Sequence, residues 1–185
     1  MKLSALYQIF LDCQSVTTDS RNCPDGSLFI ALKGESFNGN AFAKLALDSG
    51  CAFAIIDEIQ YAIEGDQRYI LVDDCLQTMQ QLANYHRRQL GTRVIGITGT
   101  NGKTTTKELI SSVLCQAHNV LYTLGNLNNH IGVPTTLLRL KPEHDLAVIE
   151  MGANHPREIK FLCEIAEPAE ISPLNEPNNS FTSSA

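Results

Sequence analysis

The residues best suited to chemistry form a glycine-rich run at positions 96–105, GITGTNGKTT. Glycines let the backbone turn tightly and bring its N–H groups close to phosphate oxygens. In such a loop Lys103 can neutralise the terminal phosphates of a nucleotide, and the hydroxyl of Thr104 can bind Mg²⁺. We therefore predict a phosphate-binding loop with these members: Gly99, Thr100, Asn101, Gly102, Lys103, Thr104 and Thr105.

This run departs from the strict pattern GxxxxGK[ST], because Ile97 stands where that pattern has its first glycine. The competing interpretation is a glycine-rich turn between a strand and a helix in which GKT occurs by chance. The flanking sequence favours the phosphate loop, since an apolar stretch at 94–98, VIGIT, precedes it and a helical pattern follows it.

The elements around the loop predict a parallel sheet. The helix at 104–117 has apolar residues at helical spacing, which are Leu109, Ile110, Val113 and Leu114. Further along we predict a strand at 120–123, a polar loop at 125–134, a helix at 135–140 and a strand at 145–150. This order of elements is typical of a doubly wound, Rossmann-like α/β fold with a mostly parallel sheet.

Glu150 is the second candidate for chemistry, because it ends the apolar strand DLAVIE. Ligands of doubly wound folds gather at the carboxyl ends of the parallel strands, and carboxylate oxygens bind Mg²⁺. We therefore predict that Thr104 and Glu150 hold Mg²⁺ beside the phosphate loop. The alternative is a solvated glutamate at a strand end.

The N-terminal half has an alternation of its own. Apolar runs at 27–32, 52–57 and 69–73 predict strands, and the patterns at 40–49 and 76–90 predict helices. We predict a small α/β domain at 1–90 and a second domain at 91–170. Residues 171–185, ISPLNEPNNSFTSSA, have one charged side chain and no periodicity. We predict that they form a disordered or non-native tail.

The composition excludes several classes of protein. The chain has 185 residues and a net charge of −6, which argues against the basic face of a broad nucleic-acid interface. No run approaches the roughly 18 apolar residues of a membrane span, and the N-terminus lacks the features of a signal peptide. The six cysteines form no CxxC pair and are expected to be free core thiols. We expect a cytoplasmic protein without nucleic-acid or membrane partners.

Four stretches resemble the Mur ligases, which build the peptide stem of peptidoglycan. TGTNGKTTTKE at 98–108 is similar to the ATP loop of that family, which departs from the strict pattern in the same way. GNLNNHIGVP at 125–134 and EMGANH at 150–155 are similar to segments of the MurF branch, and TDSR at 18–21 is similar to part of its N-terminal domain. The resemblance extends over about residues 12–170.

The resemblance implies an ATP-dependent ligase that adds D-alanyl-D-alanine to UDP-N-acetylmuramoyl-tripeptide through an acyl phosphate. It gives Lys103 a catalytic role on the transferred phosphoryl group, with Mg²⁺ at Thr104 and Glu150. Ser20 and Arg21 would bind the uridine end of the substrate. The further substrate-binding candidates are Asn126, Asn128, Asn129 and His155.

Each substrate candidate also has a purely structural interpretation. The run 19–21 is equally typical of a turn capped by its aspartate, and asparagines are common turn residues. His155 suits a helix cap or a solvated position.

Mur ligases are longer than this chain, so the resemblance predicts that it is the N-terminal part of one. The rest of the ATP-binding domain, with a carbamylated lysine, and a C-terminal domain that binds D-alanyl-D-alanine would be missing. We therefore expect an incomplete P-loop domain, a monomer, and little or no ligase turnover by the chain alone. Two other functions stay open: a sister ligase that adds the third residue of the stem, and a non-catalytic UDP-sugar-binding module.

Overall fold

The computed structural model describes residues 1–153, 155 and 157–174, and the chain divides into two compact units. The first comprises Met1–Gln89 with Leu137–Arg139, and the second comprises Leu90–Thr136 with the described residues from Leu140 onward. The change of unit between Gln89 and Leu90 falls next to the boundary expected after residue 90. In the described part of the chain, no helix combines the length and the apolar character that crossing a membrane requires.

The first unit contains a parallel sheet of four strands in the order β1-β2-β3-β4. Its elements are α1 (Leu3–Asp12), β1 (Val16–Thr17), β2 (Leu28–Ile30), α2 (Ala43–Asp48), β3 (Phe53–Ile56), β4 (Tyr69–Leu71) and α3 (Cys75–Leu90), with 3-10 turns at Gly39–Phe42 and Ile59–Tyr61. β2 and β3 are apolar and almost entirely buried, as expected of central strands in a parallel sheet. The predicted alternation of strands and helices in this half is confirmed.

A buried polar network joins the segments that follow β2 and β3. The amide of Asn40, which is 1% exposed, donates to Asp57 Oδ1 at 2.8 Å, and Asn40 Oδ1 accepts the Asp57 N–H at 2.9 Å. Lys33 Nζ lies 3.1 Å from the same carboxylate. Burial acts to raise the pKa of Asp57, but the hydrogen bonds from Asn40 and Lys33 outweigh it and lower that pKa below its ordinary value.

The second unit contains a parallel sheet in the order β6-β7-β5-β8. Its elements are β5 (Arg93–Gly99), α4 (Lys103–Leu114), β6 (Val120–Tyr122), α5 (Gly132–Leu137), β7 (Leu146–Glu150), α6 (Glu158–Ala166) and β8 (Glu170–Leu174). The register places Ile97 of β5 opposite Glu150 of β7, so the glutamate stands where β5 runs into the glycine-rich loop. The predicted parallel, Rossmann-like arrangement is confirmed.

The disordered tail predicted from residue 171 is wrong for residues 171–174. These residues belong to β8, which pairs with β5 from Ile95↔Glu170 to Gly99↔Leu174. Pairing with a distant strand satisfies the backbone polar groups on one side of β8, and no local pattern signals such a contact. Pro173 is tolerated because β8 is an edge strand of the sheet. Residues 175–185, the rest of that predicted tail, lie outside the described residues.

Helix α4 turns only part of its predicted apolar face to the sheet, because Ile110 and Leu114 pack against the core of the second unit. Leu109 and Val113 are 64% and 71% exposed, whereas Lys107 and Ser111 are buried. The helix begins at Lys103, directly after the glycine-rich loop. The loop therefore fixes the rotation of the helix. The inward positions recur at helical spacing from Lys103, and they are Lys107, Ile110, Ser111 and Leu114.

Replacing Asn40 with alanine is expected to lower the free energy of unfolding by about 2 kcal/mol, because the Asp57 N–H loses its acceptor and the Asp57 carboxylate loses one of its donors. Urea denaturation followed by circular dichroism measures the change. Gln81→Ala, at an exposed position of α3, is the control and should shift the value by less than about 0.5 kcal/mol. Equal losses in both variants would contradict the role of Asn40.

Candidate functional site

The glycine-rich loop depends on glycine at both of its ends. Gly102 precedes α4 with a φ of 79°, in the left-handed region that favours glycine. Gly99 ends β5 with a φ of 142°, and a Cβ at this position would collide with the carbonyl group of Leu174 in β8. The close approach of two backbones, as well as the turn itself, therefore requires glycine here.

The start of α4 offers backbone donors to an anion. The helical hydrogen bonds begin with the N–H of Thr106, which donates to the Gly102 carbonyl at 2.9 Å. The amides of Lys103, Thr104 and Thr105 precede that bond, so they belong to the helix end whose N–H groups have no intrahelical partner. Lys103 Nζ donates to the Gly99 carbonyl at 2.7 Å, which places the ammonium group across the loop. This arrangement is suited to phosphate.

Glu150 connects the loop with the adjacent strands. Its side chain is 1% exposed, and its Oε1 accepts from Thr104 Oγ1 at 3.2 Å and from Asn128 Nδ2 at 2.8 Å. Its backbone N–H donates to Thr123 Oγ1 at 3.0 Å. The structure thus brings together three of the residues predicted from sequence, Thr104, Asn128 and Glu150.

The donors around Glu150 fit a hard divalent cation. Its Oε2 is buried and has no hydrogen-bond partner within the described structure. A buried carboxylate oxygen in this state is costly unless a cation reaches it. The Thr104 hydroxyl and the Asn128 carboxamide add oxygen atoms of the kind that Mg²⁺ prefers. Since the described residues contain no metal-binding group of three or more His, Cys, Asp or Glu side chains, phosphate oxygens and water would complete the shell.

The neighbouring asparagines have different positions. Asn129 Oδ1 accepts from the N–H groups of Ile131 and Gly132, at 3.1 and 2.8 Å, and so caps the start of α5. Asn126 is exposed in the loop before it. Helix α5 therefore begins earlier than predicted and holds Pro134 in its first turn, where no N–H donor is needed.

The described hydrogen bonds of His155 and of the Asp19–Arg21 turn are local in the sequence. The side chain of His155 is exposed, and its backbone N–H donates to Glu158 at the start of α6. In the first unit, Asp19 accepts from the backbone and side chain of Arg21, which lowers the pKa of Asp19 to about 2. The Arg21 side chain is 87% exposed, and Ser20 lies between the two. The turn interpretation of this run is confirmed as local geometry.

Two residues of the cluster have no counterpart among the predicted ones. Thr123 follows β6 and accepts the Glu150 N–H, and Lys107 is buried one turn beyond Lys103. A lysine among the inward positions of a helix is a signal that the sequence contains. The signal can be interpreted only when the rotation of α4 is known, because the apolar pattern also includes Leu109 and Val113, which face outward.

Two family models match the chain. The Mur ligase middle domain matches residues 97–171, and the Mur ligase family, catalytic domain, matches residues 12–87. The chain belongs to the Mur ligase family. The middle-domain match includes the phosphate loop from Ile97 onward and Glu150, and the resemblance seen in the sequence motifs is confirmed.

Curated relatives indicate which branch of the Mur ligase family this chain resembles. The UDP-N-acetylmuramoyl-tripeptide–D-alanyl-D-alanine ligases of Escherichia coli K12 and Bacillus subtilis 168 are 44% and 45% identical over 154 and 153 residues. Each alignment covers 83% of this chain, but only 33% and 34% of the relative. The chain therefore spans about a third of the length of the curated relatives it matches.

Solved structures agree with this branch. A MurF structure from Acinetobacter baumannii is 36% identical with a TM-score of 0.83, and the match covers 94% of this chain and 40% of that one. MurF ligase from Thermotoga maritima in complex with ADP is 31% identical with a TM-score of 0.76, over 89% and 38% of the two chains. A diaminopimelate-adding Mur ligase, at 19% identity and a TM-score of 0.53, shares the fold alone.

Gly99→Ala is expected to lower the free energy of unfolding by about 2–3 kcal/mol, because the new Cβ meets backbone atoms at an unfavourable φ. Urea denaturation followed by circular dichroism measures the loss. Gly125→Ala is a matched control, since Gly125 also has a positive φ, of 54°, but open space around it. Its loss should be smaller, at about 1 kcal/mol. Similar losses in both variants would show that β8 does not restrict Gly99.

Proposed function

We propose that this chain provides the UDP-substrate-binding and nucleotide-binding parts of an ATP-dependent ligase. The reaction joins D-alanyl-D-alanine to UDP-N-acetylmuramoyl-tripeptide. The observation that carries the proposal is the Thr104–Glu150 hydrogen bond, which places a buried carboxylate with an unpartnered oxygen beside a phosphate loop. The similarity to ligases named for this reaction supports the choice of substrates.

The nucleotide is ATP, held by the loop at 99–105. The free amides at the start of α4 would bind phosphate oxygens, and Lys103 would neutralise charge on the terminal phosphates. The similar MurF ligase from Thermotoga maritima was solved with ADP, which supports a nucleotide in this family.

Thr104 and Glu150 would hold Mg²⁺, with Asn128 orienting the carboxylate through its amide. The bound cation would supply positive charge to the terminal phosphates of ATP. The protein's contribution is to hold the Glu150 carboxylate in place beside Thr104, because Thr104 and Asn128 both donate to its Oε1.

The chemistry transfers the γ-phosphoryl group of ATP to the terminal carboxylate of the tripeptide, which gives an acyl phosphate and ADP. The amine of D-alanyl-D-alanine then attacks the acyl carbon, a peptide bond forms, and inorganic phosphate leaves with the electron pair of the broken C–O bond. Lys103 would stabilise the charge on the transferred group. The D-alanyl-D-alanine site is assigned to a domain beyond the part of the relatives that this chain matches.

The first unit would bind the UDP end of the substrate. Asp19 holds the Arg21 guanidinium through Nε and Nη2, so the rest of this exposed group can donate to a phosphate or to uracil. Ser20 provides a hydroxyl in the same turn. Asn126, Asn129 and His155 stay predicted substrate contacts, although Asn129 also has a structural role as a helix cap. The proposal includes a monomer that acts in the cytoplasm.

Lys103→Ala is expected to weaken ATP binding in the presence of Mg²⁺ by about 10- to 100-fold, because a charge-assisted contact to phosphate is lost. Isothermal titration calorimetry on the 185-residue chain measures this. Lys160→Ala, which removes an exposed lysine of α6, should leave the affinity unchanged. Binding of UDP-N-acetylmuramoyl-tripeptide without any binding of ATP would instead favour the non-catalytic binding module.

Glu150→Gln is expected to abolish most of the dependence of ATP affinity on Mg²⁺, because the amide has nearly the shape of the carboxylate but no charge. ATP binding in the presence of a chelator should stay within about 2-fold of the wild type, since phosphate contacts belong to the loop. Calorimetric titrations at several Mg²⁺ concentrations measure both quantities. Retained Mg²⁺ dependence in the variant would place the cation elsewhere.

A further inference from the structure

Lys107 is a fully buried cation that the proposed mechanism does not use. It lies in α4, one turn beyond Lys103, and has an exposed fraction of 0%. The other lysines that the structure describes are all exposed or half-buried. Burying an ammonium group costs free energy, whereas burying an apolar side chain of similar size does not. The position of this lysine therefore calls for an explanation from its contacts.

The ammonium group of Lys107 has two short polar contacts. Its Nζ donates to the carbonyl of Thr123 at 2.7 Å and lies 2.7 Å from Glu108 Oε1. The ring of Tyr122 is 6.0 Å away, at the outer limit of a cation–π contact. Glu108 is half exposed, so the one buried acceptor is the Thr123 carbonyl, at the end of β6.

Thr123 is hydrogen-bonded to both Lys107 and Glu150. It is fully buried, its N–H donates to the Val148 carbonyl at 3.1 Å, and its hydroxyl accepts the Glu150 N–H at 3.0 Å. One residue thus receives the lysine on its carbonyl and the backbone of Glu150 on its side chain. The position of Thr123 is therefore coupled to the position of the carboxylate.

The same helix also contacts Glu150 directly. Thr104 and Lys107 are three residues apart and lie on one face of α4. Thr104 donates to the Glu150 carboxylate. Lys107 donates to Thr123, whose hydroxyl accepts the backbone N–H of Glu150. Two contacts from one rigid helix fix both the height and the rotation of α4 relative to the end of β7.

We propose that Lys107 is a positioning residue, which acts through Thr123 to hold Glu150 at the correct distance from Thr104. The inference rests on the proposed Mg²⁺·ATP site. Lys107 touches neither nucleotide nor cation in this scheme. Its loss lets the end of β6 move and loosens the Glu150 carboxylate, so the cation is bound less tightly while the phosphate loop itself is unchanged.

The test measures ATP binding to the 185-residue chain by calorimetry, with Mg²⁺ titrated from zero. Lys107→Met, which keeps the length but removes the donor and the charge, should raise the Mg²⁺ concentration for half-maximal effect by about 10-fold. ATP affinity in the presence of a chelator should not change. Ser111→Ala, on the buried face of α4 one turn further on, is the matched control and should behave as the wild type.

A second pair of variants tests the route through Thr123. Thr123→Val removes the hydroxyl that accepts from Glu150 and should raise the Mg²⁺ requirement as Lys107→Met does. Thr123→Ser retains the hydroxyl and should have the Mg²⁺ requirement of the wild type. The double variant Lys107→Met/Thr123→Val should be no worse than the stronger single variant, because both act on one contact chain. Circular dichroism checks folding, and if Lys107→Met does not fold, the two Thr123 variants decide the question.

The outcomes separate this inference from the proposed function. A wild-type Mg²⁺ requirement in folded Lys107→Met or in Thr123→Val overturns the positioning role. Equal weakening with and without Mg²⁺ also overturns it, because that result indicates a general structural loss. If the wild-type chain binds ATP without any effect of Mg²⁺, the proposed metal site fails, and this inference fails with it.

Discussion

The hydrogen bond between Thr104 and Glu150 is the contact on which the second unit's candidate site depends. It joins the first turn of α4 to the end of β7, across the loop that follows β5. Asn128 donates to the same oxygen, so a third segment is fixed at this point. The donors converge on Oε1, and the buried Oε2 has no hydrogen-bond partner within the described structure. The network thereby provides a directed negative charge where a nucleotide–metal complex would need one.

Each unit has a buried polar network at its strand ends, and the two networks differ in whether every carboxylate oxygen has a partner. In the first unit, Asn40 and Lys33 both contact the Asp57 carboxylate, and their hydrogen bonds lower the pKa of Asp57. In the second unit, the equally buried Glu150 keeps an oxygen without a hydrogen bond. A satisfied network stabilises the fold, whereas an unsatisfied buried carboxylate indicates a place for a ligand.

The glycine-rich loop is constrained on both of its sides. Toward the sheet, the backbone of β8 approaches Gly99 so closely that a side chain there has no space. Toward the helix, Gly102 takes up a left-handed conformation that starts α4. The packing of the fold itself therefore requires glycine at these positions. The same conformations leave the amide groups of the first helical turn available.

The sequence by itself determined the alternation of strands and helices, the family, and the residue types of the loop, of Glu150 and of Asn128. These features rest on local periodicity and on short motifs, which need no long-range information. Only the tertiary structure decided that residues 171–174 form a strand, that Leu109 and Val113 face outward, and that Lys107 and Thr123 support Glu150. The reason is that strand pairing and the rotation of α4 are fixed by contacts between distant segments, and no local pattern encodes them.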